Sequence, residues 1–306
     1  MKIYFRLFYI IYSVLFFNAG LFAEELVRTA GISAVPFLKI GYTARAQGMA
    51  GNFTAISDDV SALEYNPAGL SNVQGSQYSF SQALIYGDIS ANTVLAVFSS
   101  GENALGFGIT NLGISDFQRS VVNDVITEGT AISLRDTLVV LGYSHNMPYR
   151  EDSRSIKIGV SVKYINEELN KNSASVAAFD AGLYYRNSRS GNTSGIVVQN
   201  IGSKIRGSLL PFTIRAGTGF MSKGYNSSFD IVQENDSKMK LGLGFEVSAN
   251  KYIAFRFGGV YQQTSSLSAG FGLNFSPVKL DYAYIPHSDL GLSHRVTFQI
   301  DFLPKN

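Results

Sequence analysis

The chain has no cysteine and no tryptophan, three histidines, and only 16% charged residues. Without cysteine there can be no disulfide, no thiolate metal site, no cysteine nucleophile and no lipidated N-terminal cysteine. Lysine and arginine number 25 against 23 aspartates and glutamates, and the resulting net charge of +2 offers no basic patch for nucleic-acid phosphates. His145, His287 and His294 are too dispersed to give the close pairs of a zinc site unless the fold converges them, so no metal and no cofactor is expected. Long apolar runs are missing as well. After the first two dozen residues none approaches the ~18 positions that a membrane-spanning helix needs, which excludes helical spans.

What the sequence does contain is apolar residues, 45% of the total, interleaved with polar ones so that mean hydropathy is only +0.08. Glycine (30), tyrosine (17) and phenylalanine (22) are abundant, a bias toward strands and turns. The N-terminus reads as a secretory signal peptide over 1–23: cations at Lys2 and Arg6, an apolar core from Leu7 to Phe17, then Ala19, Gly20 and Ala23 before Glu24. Cleavage after Ala23 is the expectation, with cleavage after Ala19 or retention as a single anchoring helix as the alternatives.

From Gln77 onward, segments of eight to twelve residues alternate in polarity and are separated by clusters of Gly, Asn, Ser, Asp or Pro. One example sets Ile156, Ile158, Val160, Val162 and Tyr164 against Lys157, Gly159, Ser161 and Lys163; another sets Val296, Phe298, Ile300 and Phe302 against Thr297, Gln299 and Asp301. A soluble sandwich also alternates, but its outer face would be rich in Lys, Glu and Thr. In this chain the polar face is dominated by glycine (Gly106, Gly142, Gly159, Gly182, Gly242, Gly258 among others), which either leaves room for an internal plug or relieves strand coiling. Charges of both signs share that face: Lys157, Lys163, Asp180, Arg215, Lys240, Glu246, Arg256, Lys279, Asp281 and Asp301. A charge facing lipid at the midplane costs about 2–4 kcal/mol, so the segregation points to lipid outside and these residues in the lumen. Tyr164, Tyr185, Tyr252, Tyr261 and Tyr284 suit interfacial girdles, and Leu138, Val140 and Val176 are apolar inward candidates.

Segments near 77–86, 92–99, 103–112, 135–146, 155–167, 174–187, 193–202, 210–221, 225–234, 238–249, 251–261, 266–275, 277–285 and 292–302 give an all-β, antiparallel transmembrane β-barrel of fourteen strands over 77–302, with a tail at 303–306. The link 115–134 could hide a further strand at 129–134. Residues 24–76 break the alternation and are expected to form a plug with short helices. Ser57 is expected to cap a helix there, with Asp58 and Asp59 at the positive end of its dipole, and the turn at Asn66-Pro67-Ala68-Gly69 to stop it. Ser144-His145 and Ser293-His294 cannot form a relay, because strand neighbours point to opposite faces; no enzyme is expected.

The run from Val35 to Gly51, with Phe53 to Asp59 and Asn66 to Leu70, resembles the N-terminus of the PorV/PorQ family, which belongs with the FadL-type outer-membrane transporters of hydrophobic compounds. A second likeness lies in Leu280 to Pro286 and Leu290 to Val296. The resemblance implies a fourteen-stranded barrel in the cell outer membrane with residues 24–76 as a hatch in its lumen, Asn66, Pro67, Ala68 and Gly69 being the hatch residues to watch. It implies outer-membrane lipid around the barrel and passive uptake of a hydrophobic ligand such as a long-chain fatty acid. The alternative it allows is a non-transport partner or carrier of secretion-system proteins.

Overall fold

Alternation dictates a sheet with unlike faces, and such a sheet can close on itself. A computed structural model describes residues 33–86, 89–117, 132–148, 153–169, 172–287 and 291–303. The expected signal peptide, the start of the 24–76 segment, most of the 115–134 link and the end of the tail lie outside the described residues.

Fourteen strands form: β1 (Ser76–Leu84), β2 (Ile89–Ser100), β3 (Asn103–Phe117), β4 (Ile132–Pro148), β5 (Arg154–Leu169), β6 (Asn172–Asn187), β7 (Asn192–Gly202), β8 (Thr213–Met221), β9 (Tyr225–Glu234), β10 (Lys240–Ser248), β11 (Ile253–Tyr261), β12 (Ser265–Phe275), β13 (Val278–His287) and β14 (Gly291–Phe302). Each pairs antiparallel with its neighbours in sequence, and β14 returns to β1 with Ser76 opposite Phe302 and Leu84 opposite His294. Closure leaves no unpaired edge, so the backbone tolerates an apolar surround. On β5, Lys157, Ser161 and Lys163 are buried while Ile158, Val160, Val162 and Tyr164 are exposed, and Leu141, Phe179, Leu267 and Phe298 extend the apolar outer surface to other strands. Tyr252 and Tyr261 join that surface.

Several boundaries differ from the sequence reading. β3 runs on to Phe117, and the extra strand suggested at 129–134 is the start of β4 from Ile132. β8 starts at Thr213 and not at 210, where Pro211 has no N–H to give to a ladder. β7 contains a bulge. Gln199 and Asn200 together face Asp180, between the pairs Phe179/Ile201 and Ala181/Val198, with Asn200 at φ 61. The Asn200 N–H donates to Asp180 at 2.8 Å, and Lys163 Nζ reaches Asn200 Oδ1 and Asp180 Oδ2 at 2.8 Å each. The extra residue is thus fixed by an internal ion pair.

Residues 33–75 hold a 3-10 turn at Pro36–Lys39, α1 (Ala44–Gly48), α2 (Ala62–Tyr65) and a second 3-10 turn at Pro67–Asn72. Pieces this short have no stability of their own. They are held by the barrel wall: α1 packs against β11 to β14, and the second turn against β2 to β6. Contact with opposite walls puts the segment in the lumen. It starts at the loop end of the barrel, where Ala34 N donates to Leu209 O and Ser33 Oγ to Asp236, and finishes where β1 begins and β14 ends, which we call the terminal end.

The expected helix at Ser57 is not formed. Ser57 Oγ donates to Phe53 O at 2.6 Å, and α2 begins five residues later with Ser61 before it and no side-chain cap. The reason is electrostatic. Arg45 takes both carboxylates, Asp58 at 2.5 Å and Asp59 at 2.7 Å, and Asp59 additionally accepts from the Ser61 N–H, which turns the chain instead of starting a helix at 57.

Candidate functional site in the barrel interior

The inner-face glycines explain how a segment fits inside. A Cβ at Gly159 would fall onto the Ala68 nitrogen, one at Gly258 onto the Met49 carbonyl carbon, and one at Gly195 onto the Thr54 oxygen, so the wall is thinned where the segment's backbone approaches. Of the two roles open to these glycines, room for an internal segment is the one these contacts support.

Asn66, Pro67, Ala68 and Gly69 sit against β4, β5 and β6. Asn66 is fully buried and spends its whole amide: Nδ2 donates to Thr54 O and to Leu183 O of β6 at 3.1 Å each, and Oδ1 accepts from Ala68 N at 3.1 Å. Pro67 opens the 3-10 turn that Asn66 caps, and the Ala68 carbonyl accepts from Ser144 Oγ at 2.9 Å. Gly69 packs so close to Ser57 that any side chain would collide. Ser144 therefore points inward, while His145 bonds Asn103 on the exposed face.

A charged belt crosses the lumen nearer the terminal end. Arg45 from α1 grips Glu246 of β10 with two hydrogen bonds, 2.8 and 2.9 Å, besides Asp58 and Asp59. Arg256 of β11 joins Glu246 at 2.6 Å to Asp281 of β13 at 2.7 Å. Burial opposes ionisation of Asp59, but Arg45 and Ser61 outweigh it and hold that carboxyl below its usual range, whereas Asp58 is pushed up by burial. The remaining inward charges are engaged too. Lys163 pairs with Asp180, Lys240 with Glu234 at 2.5 Å and Lys279 with Asp301 at 2.7 Å, and Arg215 bonds Gln199 at 3.0 Å and lies over the Tyr65 ring at 5.4 Å. Lys157 donates to Ser71 O at 3.1 Å.

Toward the loop end the lumen opens into a cavity of about 690 Å³ whose lining includes Gln47, Glu64, Tyr65, Arg215 and Arg295. Glu64 Oε2 accepts from Thr43 Oγ1 at 2.9 Å while its Oε1 has no partner, and burial pushes its carboxyl up to about 7. Arg295 Nε donates to Gly41 O at 3.0 Å, and its Nη1 is buried without a partner. Beside the cavity lies an apolar cluster built from Val35, Phe37, Ile85, Leu112, Ile165 and Val176, with Leu138 packed on it. Leu38, Ile40 and Tyr86 belong to both, so an apolar interior runs directly into a polar chamber. Val140 is inward as well, in a second cluster with Leu63, Leu70 and Leu95. Such a junction can hold a molecule with an apolar body and one polar end. The loop-end cavity shares no lining residue with the cavities at the terminal end, and the stretch from Thr43 to Gly69 stands between them.

Arg45, Glu64 and Arg295 were not among the residues read from the sequence. Arg295 was within reach, since it has the same parity as Thr297 and Gln299 on β14. Arg45 and Glu64 lie in the aperiodic segment, where no parity rule assigns a direction.

No protein-family model matches the sequence, and no curated protein matches it. Solved structures do. The toluene transporter TodX of P. putida superposes with a TM-score of 0.63 at 11% identity, over 87% of this chain and 99% of that one. The monoaromatic hydrocarbon channel CymD gives 0.62 at 14% identity, with the same coverage of 87% and 99%. At these identities the likeness is one of architecture, and it is nearly end to end for the partners: this chain has the fold of the TodX and CymD channels.

Proposed function

We propose that this chain is an outer-membrane β-barrel for passive uptake of hydrophobic small molecules, exported by residues 1–23 and carrying residues 24–76 as its hatch. The observation that carries this reading is the apolar cluster opening onto the loop-end cavity, inside a wall whose outer surface is itself apolar. The reading is supported by the fold shared with a toluene transporter and a hydrocarbon channel. Turns at the terminal end are short, as between β2 and β3 or β12 and β13, and short turns mark the periplasmic side of bacterial barrels, which supports reading the loop-end cavity as the outward-facing one. The buried Arg295 Nη1, without a partner in a cavity that Leu38 and Ile40 also line, suits an apolar acid such as a long-chain fatty acid; a neutral aromatic would use the cluster alone. In this reading the chain is a PorV/PorQ relative, on the two stretches of sequence likeness, and has no catalytic role. Uptake of labelled palmitate and labelled toluene by cells with and without the protein tests it. Faster uptake of either is expected, and equal uptake at normal surface expression would remove the proposal.

One observation favours a second reading, a non-transport partner of a secretion apparatus: the segment fills the lumen between the two ends. Co-purification of secreted proteins in place of apolar ligands is its expected signature.

A further inference from the structure

At the terminal end, on the β2 to β6 side of the lumen, a separate cavity of about 790 Å³ lies under the stretch from Ser71 to Gly75. Inward residues of β4, β5 and β6 form its wall, among them Asn146, Lys157 and Arg186, with Arg154 beside them. Three cations line it, and among the described residues no carboxylate does. The remaining lining is mostly hydroxyl and amide groups.

This is unlike the rest of the interior. Across the lumen at the same end, Arg45, Arg256 and Lys279 each have a carboxylate within 2.8 Å. Lys157 is only 5% exposed, yet its polar partners are the neutral oxygens of Ser71 and Asn72. Arg186 lies near enough for its charge to oppose that of Lys157, and its Nε is buried with no hydrogen-bond partner. Asn146 Oδ1 is likewise buried without a partner, and since the two ends of an amide interchange, this side chain can equally turn its Nδ2 into the cavity. Lys157 is buried and Arg186 half-buried, and the carboxylate whose charge reaches Lys157, Asp58, lies outside the lining and is already bonded to Arg45. The two cations therefore meet each other with no carboxylate among the described lining residues, which is costly, and an unmet donor beside them adds to the cost. A bound anion offsets both.

We propose that this cavity is a binding site for a compact oxyanion of the phosphate class, held by Lys157 as a point charge and by the Arg186 guanidinium through paired N–H donors. The Ser71 to Gly75 stretch closes the cavity from the segment side, so the site is built jointly by the wall and the residues that lead into β1. It stands at the opposite end from the loop-end cavity and does not depend on the uptake reading.

The test is a ³¹P NMR titration of the full chain in maltoside micelles, with inorganic phosphate in one arm and dihexanoylphosphatidate in the other. Saturable line broadening is expected. Saturation by inorganic phosphate identifies a free oxyanion as ligand, and saturation by phosphatidate alone identifies a lipid headgroup. Arg186→Gln should weaken the saturating probe roughly tenfold, whereas Lys251→Gln, a cation outside this cavity, should leave it unchanged. Retained heat-modifiability on gels reports an intact barrel, and should Arg186→Gln lose it, Lys157→Gln provides the same comparison. Lack of saturation by both probes, or wild-type affinity in the folded variant, overturns the proposal.

Discussion

Asn66 satisfies three buried backbone groups with one side chain: the carbonyls of Thr54 and Leu183 and the N–H of Ala68. Replacing it by alanine removes all three bonds at once, two of them in a buried setting. Since each such group costs about 1–3 kcal/mol, we expect Asn66→Ala to lower stability by about 2–4 kcal/mol in urea titrations of the refolded protein. Glu64 behaves differently because its proton is the variable. Burial raises its carboxyl from 4.5 to about 7, so the folded chain binds that proton more tightly than the unfolded one. The stabilisation is complete below 4.5 and is lost as pH rises through about 7. Relative to Glu64→Gln, the wild type should therefore lose on the order of 2 kcal/mol between about pH 5 and about pH 8, read as diverging denaturant midpoints.

The strands and the segment inside them obey different rules. On β5 the polarity of Lys157 to Tyr164 alone assigns every side chain to lumen or exterior, and the paired register with β4 and β6 agrees with it. That is why a closed antiparallel sheet of fourteen strands was legible in the alternation alone. The bulge at Asn200 was not, because nothing in Gln199-Asn200 departs from ordinary strand composition; its cause is the distant pair Lys163 and Asp180. The segment was legible as a different kind of chain, and Asn66 as a turn, but the supposed helix at Ser57 shows the limit: local capping rules lose to an arginine thirteen positions earlier in sequence. Gly159 links the two kinds of structure. A valine there would occupy the place of the Ala68 backbone. We expect Gly159→Val to expel the second 3-10 turn from the wall, seen as new protease cleavage between 33 and 75 in a barrel that still shifts on heating in gels.

Taken together, the described residues form a cylinder whose outer surface is apolar and whose inward polar groups meet a filling that combines apolar clusters with ion pairs. Its exterior makes a direct demand on the solvent. Val160 lies at the middle of β5 and is exposed, so Val160→Arg should cost about 2–4 kcal/mol for folding into lipid vesicles and far less in detergent. The seam between the first and last strands differs from every other strand pair, because chain connectivity does not hold it. There Thr297 Oγ1 of β14 bonds Ser81 Oγ of β1 at 2.8 Å and also accepts from Ala44 N of the inner segment, while Arg295 holds Gly41 O. The closing strand is thus stitched to its partner and to the filling by the same hydroxyl. Closing the cylinder and seating the segment are therefore coupled, since Thr297 completes both of its bonds only when Ser81 and Ala44 are both in place.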